Sequence, residues 1–395
     1  MVPELRRSFN ASFTAENYRK FVERLRMTCQ TDIQFRICET PCFFPESLLQ
    51  QMAEAGAEMV HQLVDDPAYM RASDTTVPPL WDVPNQDAKP LFVQVDFGLR
   101  LDGSGELKPC LVELQAFPSL YAYQPAMAKE YVNSYDLSRD LKIYFSGLDE
   151  SSYREALRKA IVGDHSPENV VLLEIDPAHQ KTLPDFLLTS KMLGIEIVDL
   201  RDVVKHDKQL YYWRDDDLMP IRRIYNRAIV DELVRKQITP SFDYRDELDV
   251  EWAGHPNWYF RISKFSLPYL KHEAVPKTWF LSELPELPSD RDNYVLKPLY
   301  SFAGSGIVFG PTDEQIAAIP YSQRANYIVQ ERVNFERVID TPHGPTQPEI
   351  RIMYVWLDKL TPVMALIRMG RGKMMGVDHN RDLEWVGSSA ALIVP

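Results

Sequence analysis

Apolar and polar positions alternate strictly from Phe92 onward. Val93, Val95, Phe97, Leu99 and Leu101 share one face of a strand, and Gln94, Asp96, Gly98 and Arg100 share the other. Asp102-Gly103-Ser104-Gly105 reads as a turn, and LKPCLVELQAF as the returning strand. A hairpin closing over Ser104-Gly105 puts Asp96 opposite Glu113, with Gln115 on the same face as Glu113. Two carboxylates facing across a ladder repel each other. Either they are a solvated polar face on an edge hairpin, or a cation lies between them.

Elsewhere the periodicity changes. Residues 14–64 carry apolar residues at helical spacing, and the helix at Pro45 to Val64 starts with a favourable N1 proline. Prolines and polar residues make Asp65 to Pro90 a loop. Pro125 to Tyr144 reads as a helix with Met127, Tyr131 and Leu137 inward. Asn169 to Asp176 reads as a buried strand, Leu183 to Leu193 as a helix ending at Gly194, and Ile195 to Leu200 as a second strand. Such short connections make a parallel βαβ unit. A third strand, Gln209 to Trp213, follows. With no G-x-G-x-x-G in the first βα turn, no dinucleotide site is expected there. Strand patterns return at Tyr294 to Phe309 and Tyr327 to Val333. Glu349 to Trp356 and Val363 to Met369 form an antiparallel pair turning at Asp358-Lys359. The chain therefore reads as α/β in three parts. Residues 1–150 hold helices and the hairpin, 151–245 a Rossmann-like insert that walls a cleft, and 246–395 a lysine-bearing segment and a C-terminal sheet.

Composition narrows the function classes. The chain has 395 residues and a net charge of −13, with no long basic run, which argues against broad binding of nucleic acid. No signal-peptide h-region and no membrane-length apolar run is visible, so a cytoplasmic setting without a membrane partner is the expectation. Four cysteines make no disulfide framework, and Cys38 and Cys42 read as structural thiols.

The candidate chemistry is spread along the sequence. Asp96, Glu113 and Gln115 offer the hard oxygen donors that magnesium takes when phosphates complete its shell. Lys297 leaves a strand and is followed by Ser301, Ala303, Gly304, Ser305 and Gly306, small residues whose backbone N–H groups can approach phosphate oxygens. This is no Walker A loop, and a glycine-containing turn with a snorkelling lysine reads equally well. Lys264 stands alone among apolar residues. Arg351 and Arg368, on the last strand pair, can stabilise a transferring phosphoryl group.

As a set, these residues resemble the ATP-grasp superfamily in the permuted order of glutathionylspermidine synthetase and its relatives. The motifs that carry the resemblance are Val95-Asp96-Phe97, then Glu113-Leu114-Gln115 with Ala116-Phe117-Pro118-Ser119-Leu120. Next come Ile262-Ser263-Lys264 through Leu270, Lys297-Pro298 through Gly306, and Ala365-Leu366-Ile367-Arg368. The resemblance implies two magnesium ions on Asp96 and Glu113, with Gln115 on one of them. It places Lys264, Lys297 and the Ser301–Gly306 loop on ATP phosphates. Adenine falls to the backbone of Val329 to Val333, the Gln330-Glu331 strand, with Glu331 near the ribose. Arg368 stabilises the transferred phosphoryl group, and Arg351 joins it as a catalytic candidate. The implied reaction joins a small-molecule carboxylate to an amine through an acyl phosphate.

Three positions depart from the family pattern. Gln94 and Phe302 stand where arginines are expected, and Gln115 where an asparagine is expected. No amidase part precedes the hairpin. Arg100-x-Asp102 offers a rival register that puts the ligand at the turn tip. Glutathione and spermidine are thereby not implied as substrates. A catalytically inactive ATP-binding protein, or an α/β protein for sugars or peptides with no nucleotide, are the alternatives.

Overall fold

A computed structural model of the chain describes residues 1–286, 288–300, 306–372, 375 and 382–395. The alternating stretch forms β2 (Phe92–Leu101) and β3 (Leu107–Gln115). They extend a sheet with β1 (Cys42–Pro45), β15 (Gln347–Trp356), β16 (Leu360–Gly370) and β17 (Gly387–Val394), in the order β1-β17-β16-β15-β2-β3. The sheet draws its strands from both ends of the sequence.

Alternation decides what each face of this sheet carries. Val93, Val95, Phe97 and Leu99 join Ile350, Ile352 and Tyr354 in one core with Leu49, Met52, Met59 and Leu63 of the helix Glu46–Val64. Gly56 sits mid-helix because the Tyr354 hydroxyl leaves no room: a Cβ there would lie 2.2 Å from that oxygen. On the opposite face, one end is apolar. Phe92, Met353, Val355 and Leu366 pack with Tyr121, Tyr153 and Leu157. The other end of the same face carries Asp96, Arg351 and Arg368.

Residues 151–245 supply most of a parallel sheet of β4 (Val170–Glu174), β5 (Glu196–Asp199), β9 (Arg223–Asn226) and β10 (Glu251–Ala253), in the order β10-β9-β4-β5. The crossover helix Leu183–Leu193 ends at Gly194 with φ +75°, as expected. The expected third strand forms as β7 (Gln209–Arg214), but it belongs to a separate antiparallel sheet with β6 (Val204–His206) and β8 (Asp217–Ile221). Two-residue turns, with Asp207 and Asp215 at positive φ, force these neighbours antiparallel. A third unit is the sheet of β11 (Thr278–Phe280), β12 (Tyr294–Pro298), β13 (Val308–Phe309) and β14 (Tyr327–Glu331), in the order β11-β14-β12-β13.

Several expectations shift. The 65–90 loop contains a helix, Pro67–Asp74, whose Asp66 cap accepts from Ala68 N–H at 2.8 Å. There the proline starts a helix rather than breaking one. Pro45 ends β1 and precedes its helix instead of opening it. The helix expected to reach Tyr144 spans Tyr123–Ser134. Helix Pro3–Ser12 and strand β17 were not anticipated. All four cysteines are free and buried. Among the described residues, no helix is long and apolar enough to cross a membrane.

Candidate functional site

The hairpin places Asp96 against Glu113 and Gln94 against Gln115. It does so by a route different from the expected turn. The tip closes through Asp102 and Glu106, with Gly105 N–H on the Asp102 carbonyl at 3.0 Å. That turn moves the register by one residue, and a bulge at Val112 moves it back. Asp102, the rival ligand, spends its Oδ1 on the turn, accepting from Ser104 N–H at 2.8 Å and Glu106 N–H at 3.0 Å.

Antiparallel pairing sets a carboxylate opposite an arginine twice: Asp96 faces Arg351 across β2 and β15, and Glu349 faces Arg368 across β15 and β16. Arg351 grips Asp96 in a two-pronged contact, Nε to Oδ1 at 2.6 Å and Nη2 to Oδ2 at 2.7 Å. Its Nη1 donates to Gln94 Oε1 at 2.9 Å. Arg368 Nη2 adds a third contact to Asp96 Oδ2 at 2.5 Å and also meets Glu349. Asp96 is 1% exposed. Burial alone would raise its pKa, but the two guanidiniums outweigh burial and hold it below the usual range. For Glu349 burial wins over Arg368, and its carboxyl is pushed up to about 7. Arg368 is held above its ordinary value because Glu349, Asp96 and Glu113 together outweigh its burial.

The cations from later in the sequence arrive on the small sheet and on a segment bound to β3. Lys297 is buried, and its ammonium donates to Gln330 Oε1 at 2.6 Å. Burial, aided by Lys264 and opposed by Glu113 and Glu349, lowers its pKa to about 8. These four groups therefore share one electrostatic environment. Backbone bonds explain the approach of Lys264. Ala116 N–H meets Ile262 C=O at 3.3 Å and Leu111 N–H meets Ala274 C=O at 2.7 Å, so the 262–274 segment runs along β3 on both sides of Glu113. Lys264 opens the 3-10 turn Lys264–Tyr269, which Ser263 caps.

No family model matches the sequence, and no curated protein matches it significantly. The fold does have a solved counterpart. The glutathione synthetase-like effector GSS30 from Globodera pallida, in its apo form, matches with a TM-score of 0.60 over 96% of both chains at 11% identity. The chain has a glutathione synthetase-like α/β fold.

In that fold the expected site residues divide. Asp96, Glu113, Lys264, Lys297, Gln330, Arg351 and Arg368 come together, and Glu349, which was not expected, joins them. Gln115 turns its amide to Gln94 Oε1 at 2.8 Å. Gly306 has φ +73° and follows β12, while Ser301, Gly304 and Ser305, with Phe302, lie outside the described residues. The adenine expectation meets a constraint. Ile328 to Gln330 are paired on both sides by β11 and β12, and Glu331 N–H bonds Lys277 C=O at 2.9 Å. The backbone of Ile328 to Gln330 and the N–H groups of Glu331 and Arg332 are therefore already engaged. Glu331 Oε2 accepts from Lys277 N–H at 3.3 Å. Past Arg332 the chain folds over β2: Glu336 N–H bonds Leu99 C=O at 2.8 Å and Phe335 covers Gly98.

Magnesium, which the resemblance implies, fits only part of its expected ligand set. Both oxygens of Asp96 are taken by guanidiniums, whereas Glu113 has no hydrogen bond or ion pair among the described residues. No group of three or more His, Cys, Asp or Glu side chains among the described residues can hold a metal ion. Glu113 and the Gln115 amide oxygen suffice for one ion only if phosphate oxygens supply the remainder. Sequence reasoning missed Glu349, although Glu349-x-Arg351 on a strand puts both on one face. A cavity of about 510 Å³ is lined by Leu91, Glu251, Trp252 and Trp356, with Arg223 as the insert's one contribution; none of the candidate residues lies on it.

Proposed function

We propose that the protein is an ATP-dependent ligase of the ATP-grasp type, joining a small-molecule carboxylate to an amine, with the permuted glutathionylspermidine synthetase branch as its nearest pattern. The observation behind this reading is the gathering of Lys297, from the small sheet, and Lys264, from the segment along β3, against Glu113, Glu349, Arg351 and Arg368 of the large sheet. The GSS30 fold supports the class; substrates are not implied by it. In this reading Lys264 and Lys297 hold the phosphates as point charges, and Arg368 stabilises the charge of the phosphoryl group in transfer. The carboxylate attacks the γ-phosphorus, ADP leaves, and the amine displaces phosphate from the acyl phosphate. Positioning and charge neutralisation carry such a reaction without a protein nucleophile. Phosphate release from ATP, measured across a panel of acid and amine pairs, tests the reading. ADP formation that depends on both an acid and an amine supports it.

A second reading has its own observation. The double guanidinium grip on Asp96, with Gln94 where an arginine is expected, favours a nucleotide-binding protein that performs no ligation. Saturable ATP binding with no phosphate release across the panel would select that reading.

A further inference from the structure

The deepest acid of the site, Asp96, is satisfied by protein alone. Its two oxygens receive three contacts, the two prongs of Arg351 and the Nη2 of Arg368. A carboxylate offers about four lone-pair positions, so most are filled. An inner-sphere dication there would also stand within a few ångströms of two fixed cations that cannot deprotonate. What the cluster lacks points the opposite way. Among its described residues, the buried polar atoms without a partner are Arg368 Nε and Gln330 Nε2, and both are N–H donors. Gln330 is 1% exposed, and its other amide atom is already bound to Lys297. Among the described residues, three cations (Lys297, Arg351, Arg368) stand with three carboxylates (Asp96, Glu113, Glu349). Unfilled N–H donors beside an already occupied carboxylate call for an acceptor-rich ligand, not for a metal ion on Asp96.

We infer that this chain binds the nucleotide triphosphate directly on its guanidinium, ammonium and amide donors, without a divalent ion on Asp96. Asp96 acts as a positioning residue: it holds Arg351 and Arg368 in fixed orientation toward the phosphates. The inference rests on the nucleotide reading above, and the experiment separates the two. ATP is titrated calorimetrically into the full chain, once in EDTA and once in excess magnesium. The expected result is dissociation constants within about threefold of each other. Heat in magnesium and none in EDTA overturns the inference and leaves the nucleotide reading standing. Heat in neither overturns both. Asp96→Asn then reports the role of the carboxylate. It should weaken ATP binding in EDTA by about tenfold, because both guanidiniums lose their charged anchor. An Asp96→Asn protein that binds normally in EDTA and poorly only in magnesium marks Asp96 as a metal ligand and overturns the inference. Should Asp96→Asn fail to fold, the two wild-type titrations decide alone.

Discussion

Lys297→Met removes a charge that the fold holds at a cost. Lys297 is 9% exposed, and burial brings its pKa from 10.5 to about 8. The difference corresponds to about 3 kcal/mol of destabilisation at pH 7, below both values. The sign follows from linkage. A lysine with a lowered folded pKa is stabilising above its unfolded value, and that stability is lost as the pH falls through about 8. Methionine keeps most of the stem but loses the 2.6 Å bond to Gln330, about 1 kcal/mol. The variant should therefore be more stable than wild type by about 2 kcal/mol at pH 7. Above pH 10.5, where the lysine is neutral in both states, the order should reverse by about 1 kcal/mol. Urea denaturation across this range measures both. ATP affinity should fall in the same variant by roughly 10- to 100-fold, as for a lost charge-assisted contact. A variant that is less stable than wild type at pH 7, or a difference that does not change with pH, refutes the argument that Lys297 is retained for ligand binding against its own burial.

Other substitutions probe the neighbouring parts. Glu113→Ala should abolish acid- and amine-dependent phosphate release while circular dichroism stays that of wild type, since Glu113 bonds nothing among the described residues; unchanged turnover removes it from the reaction. Gly98→Ala should cost about 1–3 kcal/mol, because its Cβ would lie 2.3 Å from the Phe335 ring. Phe335→Ala in the same chain should recover part of that loss, and a purely additive pair would show that the two do not touch. Arg227→Met should cost about 3–5 kcal/mol in urea titration, leaving Asp185 buried without its 2.9 Å partner. A loss under 1 kcal/mol would show that the three backbone N–H groups on Asp185 suffice alone.

Much of the site was legible because strands repeat every two residues. The alternation from Val93 to Leu101 assigned Asp96 to a polar face, and the Asp96–Glu113 pairing came out as read. It did so through compensation, since neither the three-residue tip nor the Val112 bulge is encoded by hydrophobic pattern. Glycine and aspartate at positive φ placed the turns of the insert, but pattern could not say which sheet β7 would join. Whether a proline breaks or opens a helix depends on its neighbour: Pro67 starts one because Asp66 caps it.

Local sequence determined which residues share a face and which types of group the chain offers: oxygen donors near residue 100 and cations more than 150 positions later. The tertiary structure alone decided their partners. Arg351 and Arg368 reach Asp96 because β15 lies between β2 and β16, a neighbour relation between segments some 250 residues apart. Periodicity stops at the edge of each element and carries no term for that distance. A carboxylate's role follows from which charge the sheet sets beside it, a metal ion or an arginine.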